Sequence, residues 1–456
     1  LTELARAIAR RVVSPVEVVE VALERIQRLN PVLNAYLTIN PRARAEAQTA
    51  ERALAAGGPL GPLHGVPISV KDIMLTRGMQ TTAGSRAFGA GLPGTRDAVV
   101  VRRLRRAGAI VLGKTNLHEI AMGVTTVNEH VGPARNPWDT TRVAGGSSGG
   151  SAVAVAAGLD WGSVGTDTRG SIRIPAAACG ITGLKPTYGL VPVAGVIPLS
   201  VSLDHVGPLA RSVADVAFLL SAMAGGESRR GRWLAALEQP VAGLRLGVCD
   251  YWQRDLDPAI AAAIEQAIEV LRRAGCVVQP VTIPELAGAL EASAVITGAE
   301  AIALHDDRLR ANPMGYGPSV RARLERGRAI TALAYLRAKD KQRELVRAFR
   351  RVFTEVDCLV GAVLPLFPPL IDTDADVLDA FTRLNAPLNM AGVPALALPC
   401  GIGGSGLPIA FQLVSARGRE DILFALGACY QRATDWHGRR PGTIALPDGQ
   451  SSEATR

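Results

Sequence analysis

The sequence predicts an α/β fold, and three observations carry that expectation. Short apolar runs of strand length alternate with longer amphipathic segments along most of the chain. Residues 145–186 hold two turns rich in Gly, Ser and Thr, each set against a small-residue apolar stretch. The 456 residues suffice to bury a large core, as one big domain or two smaller ones.

Taken in order, Ser14-Pro15-Val16-Glu17 is a capping box with proline at the first helical position, predicting a helix to about Leu29. A second helix covers roughly 41–56. After a loop at 61–65, the apolar run 66–70 is a short strand that delivers Lys71. Asp97 is expected to cap a basic helix ending at Gly108, and 109–113 returns as a strand. In the glycine-rich centre, 151–158 is a small-residue helix that Gly158 can end in the left-handed conformation, and 161–165 is a buried strand. A capped helix at 212–224 is followed by 225–232, which reads as an exposed linker. Strand 244–248, helix 257–274 and strand 277–283 continue the alternation. Residues 285–355 are mainly helical, with a long element from about Ala329 to Val356. A buried strand at 358–364 precedes the Pro/Asp-rich loop 365–376, a candidate substrate-side lid. Strands at 395–399 and 409–414 and a helix at 420–432 complete the pattern.

Composition excludes several classes. The net charge of +9 comes mostly from Arg spread along helices, and aromatics make up 4% of the chain, so solvated faces explain it better than a nucleic-acid surface. No run reaches the roughly 18 apolar residues of a membrane span. The 6 cysteines are scattered without CxxC spacing, predicting buried thiols in a reducing, cytoplasmic setting and neither a zinc site nor a disulfide framework.

Three kinds of chemistry compete for the glycine-rich centre. Residues 145–149 formally match the GxSxG nucleophile elbow, but any GGSSGG run does so, and His205, His305 and His437 lie in no recognisable catalytic context. A phosphate cradle would need the lysine of GxxxxGK[ST], which is missing, and no GxGxxG follows a strand. The third reading pairs both turns with Lys71. Lysine occurs only at positions 71, 114, 185, 339 and 341 in a chain that otherwise uses Arg, so a lysine marks a place where an amine is wanted.

At these residues the chain resembles the amidase signature family. GGSSGGSAVAVAAG followed by GTDTRGSIRIPAAACGITGLKPTYG matches that family's signature almost throughout. Upstream, GPLHGVPISVKD, DAVVVRRLRRAGAIVLGKTN and NPWD are similar to its blocks, as are SLDHVGPLARSVAD, LNMAGVPALALPCG and GLPIAFQLV downstream. The resemblance runs from Leu1 to about Thr434 and is weakest over 225–350. It implies a single large α/β/α domain over 1–456, a mixed twisted sheet covered by helices on both faces. The signature core is expected over 65–210, and a variable, mostly helical substrate-side region over 225–355.

The resemblance also implies a Ser–Ser–Lys triad: Ser171 as nucleophile, Ser147 as a bridging serine on a cis peptide bond, and Lys71 as general base. Ser148 and Arg173 match residues that support the triad through hydrogen bonds, and Ala121, Met122 and Gly123 fall on a loop bordering the acyl pocket. The chemistry suits these residue types. A serine hydroxyl is a weak nucleophile until a base takes its proton. A free lysine, with a pKa of about 10.4, is charged at neutral pH, and burial lowering it by roughly 3 units leaves an amine able to serve. The developing oxyanion needs converging backbone N–H groups, which Thr168, Arg169, Gly170 and Ser171 can supply. Asp167 reads as a loop brace, Cys179 as core, and Lys114 and Lys185 as structural or surface residues.

One position departs from the family: Arg169 stands where Gly is usual, giving GTDTRGS. A left-handed backbone there would strain it. Otherwise its guanidinium points into the pocket, meets an acidic neighbour, or packs outward.

Two roles follow from the resemblance. One is a free-standing amidase acting on small-molecule amides, aryl amides, carbamates (urethanes) or esters. The other is the glutamine-hydrolysing A subunit of a tRNA-dependent amidotransferase, whose tyrosine-rich C-terminal block is not recognisable in this chain. Met122 and the aliphatic run 361–364 suggest an apolar pocket. The expected partners are a small-molecule amide or carbamate substrate and a second copy in a homodimer, with no nucleic acid, membrane, cofactor or metal.

Overall fold

Strand-forming runs from both halves of the chain meet in one mixed sheet. The structure, a computed structural model, describes residues 1–57, 60–373 and 376–442. Its strands are β1 (Tyr36–Ile39), β2 (Pro67–Lys71), β3 (Ile110–Thr115), β4 (Arg135–Asn136), β5 (Asp139–Val143), β6 (Ser163–Asp167), β7 (Thr182–Lys185), β8 (His205–Ala210), β9 (Arg245–Cys249), β10 (Val277–Val281), β11 (Cys358–Ala362), β12 (Ala395–Ile402) and β13 (Pro408–Ser415). Among the described residues, 11 of these form the sheet in the order β1-β3-β2-β6-β8-β7-β12-β13-β11-β9-β10, while β4 and β5 form a separate hairpin.

Parallel pairing joins β3, β2 and β6 on one side and β11, β9 and β10 on the other. The strands between them pair antiparallel. The pleat sends alternate residues to opposite faces. Accordingly Val111, Val206, Leu396 and Phe411 join one apolar core, and Ile110, Leu112, Leu209, Ala397 and Ala410 join the other. Helices cover both faces, so β2, β6 and β7 are buried along their whole length. That is why they read as continuous apolar or small-residue runs.

Local signals explain most element ends. Ser14 and Glu17 form the reciprocal capping box of the helix Pro15–Leu33, which ends at Asn34 in the left-handed region. Ser212 caps Val213–Ala224 and Asp257 caps Pro258–Arg273 through side-chain bonds to backbone N–H groups. Gly158, with a φ of +67°, follows the helix Gly149–Ala156.

Three local expectations fail. The basic helix Val99–Arg106 is not capped by Asp97, whose carboxylate instead takes the Arg77 N–H and faces Arg105. The stretch 225–232 is not a linker: helix Glu227–Ala236 begins there because Trp233 is fully buried against the core. The loop 365–376 is tied down over its described part, since Val143 N–H bonds Pro369 O and Ile371 N–H bonds Thr141 O on the β4–β5 hairpin. Residues 374 and 375 of that loop lie outside the described residues.

Candidate active site

The buried strand β2 ends in Lys71, whose side chain has no exposed surface. Its Nζ lies 2.8 Å from Ser147 Oγ, 3.0 Å from Ser148 Oγ and 2.8 Å from Thr166 Oγ1. Three hydroxyls match the three N–H bonds of an ammonium. A neutral amine keeps two donors and gains a lone pair, so one contact then inverts and the hydroxyl donates to Nζ. Burial pulls Lys71 down to about 7, against the opposing pull of Asp204 and Asp167.

The first glycine turn leads into the helix Gly149–Ala156, and its Gly146–Ser147 peptide bond is cis. The Ser147 carbonyl accepts the His118 N–H at 3.1 Å. Ser148 Oγ donates to Thr166 O at 3.1 Å and accepts the Thr166 N–H at 3.3 Å, fastening this turn to β6. Gly165 permits that approach, since a Cβ there would sit 2.9 Å from Ser148 Oγ. The Ser148 N–H donates to the Ser171 carbonyl at 3.2 Å, which brings the second turn against the first. Ser171 is 6% exposed, whereas Lys71 and Ser147 are wholly enclosed. Among the described residues no protein group hydrogen-bonds the Ser171 hydroxyl.

Asp167, at the end of β6, organises the second turn. Its Oδ1 accepts the Gly170 N–H at 2.8 Å and its Oδ2 the Ile172 N–H at 3.1 Å. Arg173, fully buried, donates from Nε and Nη2 to the same carboxylate, both at 3.1 Å, and from Nη2 to Asn389 Oδ1 at 2.7 Å. Burial alone would raise the Asp167 carboxyl, but Arg173 overcomes it and holds the group well below the usual carboxylate range. Asp167 is thus the expected brace. The N–H of Gly170, expected to face an oxyanion, is instead spent on Asp167. Among the described residues the N–H groups of Arg169 and Ser171 have no protein partner.

A cleft opens beside β6, lined by Ala121, Thr166, Thr168, Asp204, His205 and several aliphatic side chains. Of the expected substrate-binding residues only Ala121 lines it. Met122 packs partly buried against the core, and Gly123 lies flat on the His118 ring, where a Cβ would come within 2.2 Å of Nε2. The run 361–364 is core rather than pocket: β11 is buried throughout, Gly361 faces Trp252, and Leu364 lines a separate, smaller cavity. Lys114 and Lys185 are not at the surface but fully buried, Lys114 paired with Asp72 at 2.7 Å and Lys185 donating to the Val393 carbonyl.

Several residues at this centre were not singled out from the sequence. Thr166 contacts Lys71 directly, and Asn389 completes the Asp167 brace. Asp204 takes the Thr168 hydroxyl at 2.6 Å and the Leu199 and Ser200 N–H groups at 2.9 and 3.0 Å. Burial pushes its carboxyl up to about 6 despite those bonds. All three sit inside blocks that carry the family resemblance, which is the signal that could have found them. Among the described residues no group of three or more His, Cys, Asp and Glu side chains could hold a metal ion, and no helix is long and apolar enough to cross a membrane.

A fold and a centre of this kind define an amide-hydrolysing enzyme of the amidase signature class. Residues 17–424 match the protein family described as Amidase, and the chain belongs to that family. It is 39% identical to the A subunit of the glutamyl-tRNA(Gln) amidotransferase of Methylococcus capsulatus, over 98% of this chain and 99% of that one. Among solved structures, it is similar to a chain of a vestigial protein complex described as revealing the evolutionary origins of an s-triazine catabolic enzyme. There the TM-score is 0.90 and the identity 37%, covering 94% of this chain and 98% of the other. The peptide amidase of Stenotrophomonas maltophilia superposes with a TM-score of 0.84 at 32% identity, covering 96% and 97% of the two chains.

Proposed function

We propose that the chain cleaves the C–N bond of an amide through an acyl-enzyme on Ser171. The observation that carries this reading is a buried Lys71 held near neutrality and bonded to Ser147, in a turn that is joined through the Ser148 N–H to the slightly exposed Ser171. Ser147 passes the Ser171 proton to the Lys71 amine as Ser171 Oγ attacks the amide carbonyl carbon. The oxyanion takes the free N–H groups of Arg169 and Ser171, each such donor being worth about 10²–10³ in rate. Collapse breaks the C–N bond, and the leaving amine takes its proton back along the relay. Water then cleaves the ester by the same path.

Two substrates fit this chemistry. Glutamine hydrolysis as the A subunit of a tRNA-dependent amidotransferase has the stronger support, because relatives of that name align along nearly the whole of both chains. A small-molecule amide, aryl amide or carbamate is the second reading, favoured by the mainly aliphatic lining of the cleft. Hydrolysis of glutamine, a simple primary amide, an anilide, a carbamate and an ester, by the native chain and by Ser171→Ala, separates them. Turnover of glutamine that rises when partner proteins of the complex are added supports the first, and turnover of anilide or carbamate by the chain alone supports the second. Activity that survives Ser171→Ala removes the proposed nucleophile.

A further inference from the structure

We propose that Thr126 is a positioning residue for the proton relay: its hydroxyl spans the first serine turn and holds Ser147 against Lys71. The inference rests on the reading of Ser147 as the relay and adds the group that keeps the relay in place.

The two serine turns are held by different means. The second is gathered by the Asp167 carboxylate, whereas the first, 145–151, contains no charged residue. Thr126 Oγ1 donates to the Gly145 carbonyl at 2.8 Å and accepts the Gly149 N–H at 3.1 Å. A hydroxyl offers one donor and two acceptor sites, so both bonds are made at once. Gly145 and Gly149 stand two residues on either side of Ser147, and the bridge therefore closes the turn around it. The same loop gives a third anchor, the His118 N–H to the Ser147 carbonyl at 3.1 Å. With the backbone located in this way, Ser147 Oγ comes to 2.8 Å from Lys71 Nζ.

The approach of this side chain explains two glycines of the GGSSGG run. A Cβ at Gly146 would lie 2.8 Å from the Thr126 backbone nitrogen, and one at Gly149 would lie 2.7 Å from Thr126 Cβ. Thr126 is wholly buried, with a φ of +57°. That is the left-handed region, which a β-branched residue rarely adopts. Ile120 and Ala121, earlier in the same loop, have φ values of +44° and +63°. Backbone bonds hold the loop in this shape: the Ile120 N–H donates to Ala83 O at 2.9 Å, and Thr126 O accepts the Ala134 N–H at 3.1 Å. Backbone strain of this kind persists where the surroundings over-determine it, and it gathers at functional sites. Glycine would take the conformation freely but has no hydroxyl with which to bridge the turn.

Thr126 lies outside the set of residues that line the cleft, so its loss should act on the reaction rather than on binding. A catalytic group displaced by about 1 Å can cost about 10² in rate. Lys71 would register the same displacement. Its ammonium form uses Ser147 Oγ as one of three hydrogen-bond acceptors, and losing that acceptor favours the neutral amine. The Lys71 titration midpoint should therefore fall.

The test uses Thr126→Val, which keeps the shape and removes the hydroxyl, and Thr126→Ser, which keeps the hydroxyl. Saturation kinetics of Ser171 labelling by a fluorophosphonate separate the maximal rate from the half-saturating concentration, and melting temperatures establish that each variant is folded. Thr126→Val is expected to lower the maximal rate by about tenfold or more at an unchanged half-saturating concentration, with Thr126→Ser staying within about threefold of the native chain. A folded Thr126→Val that labels at the native rate overturns the proposal, as does equal slowing in both variants or a change in half-saturation alone. If Thr126→Val does not fold, Thr126→Ala, which also lacks the hydroxyl, takes its place. If the native chain is not labelled at Ser171, the hydrolytic reading fails, and NMR titration of the 13C-labelled lysines decides the positioning role separately. A Lys71 midpoint that falls in Thr126→Val and is kept in Thr126→Ser upholds that role, and a midpoint unmoved in Thr126→Val overturns it.

Discussion

Lys71 shows how much one residue's surroundings can set. Three hydroxyls enclose its amine, and burial lowers its proton affinity more than Asp204 and Asp167 restore it. Only the neutral amine can take a proton, so kcat/KM is expected to climb about tenfold per pH unit up to about 7 and level off above it. Replacing Lys71 with Ala should lower kcat by about 10²–10⁴ and remove that rise, as steady-state rates across pH would reveal. Asp167 and Arg173 make the contrasting pair, fully enclosed and mutually satisfied. Asp167→Asn leaves the guanidinium without its counter-charge and should cost about 3–5 kcal/mol in denaturant unfolding, with the serine turn released.

At the scale of elements, the buried strand β2, the short helix after Ser148 and the end of β6 place three chemical groups at one point. Gly170 is the hinge of the second turn: its φ is +122°, and a Cβ there would lie 2.6 Å from Ile174 Cδ1 and 2.8 Å from Asn385 Cβ. Gly170→Ala should therefore lower stability by about 1–3 kcal/mol and reduce activity along with it, measurable by thermal unfolding and a rate assay on one preparation. The helix Glu227–Ala236 hangs on Trp233 in the same way, and Trp233→Ala should cost about 3–5 kcal/mol by the same unfolding measurement.

Much of this was legible in the sequence, because capping boxes and strand runs are local signals. Ser14, Ser212 and Asp257 announce their helices through side-chain bonds to nearby N–H groups. What was not legible depends on distant packing. Gly, Ser and Arg at 225–232 carry linker composition, yet Trp233 commits the segment to a helix. Likewise, nothing local tells that Asp167 takes the Gly170 N–H, that Met122 packs against the core, or that 361–364 belongs to the core.

Across the whole molecule, the sheet joins β2 and β6, which end in Lys71 and Asp167, to the C-terminal strands through β8, β7 and β12. That continuity lets Asn389 and Gln412, over 200 residues from Arg173, complete its hydrogen bonds. The most direct test is covalent labelling with a fluorophosphonate followed by peptide mass spectrometry. The account expects a single adduct on Ser171, greatly slowed in Lys71→Ala and accelerating as pH rises through about 7. An adduct on Ser147 or Ser148, or labelling that persists in Ser171→Ala, would contradict it.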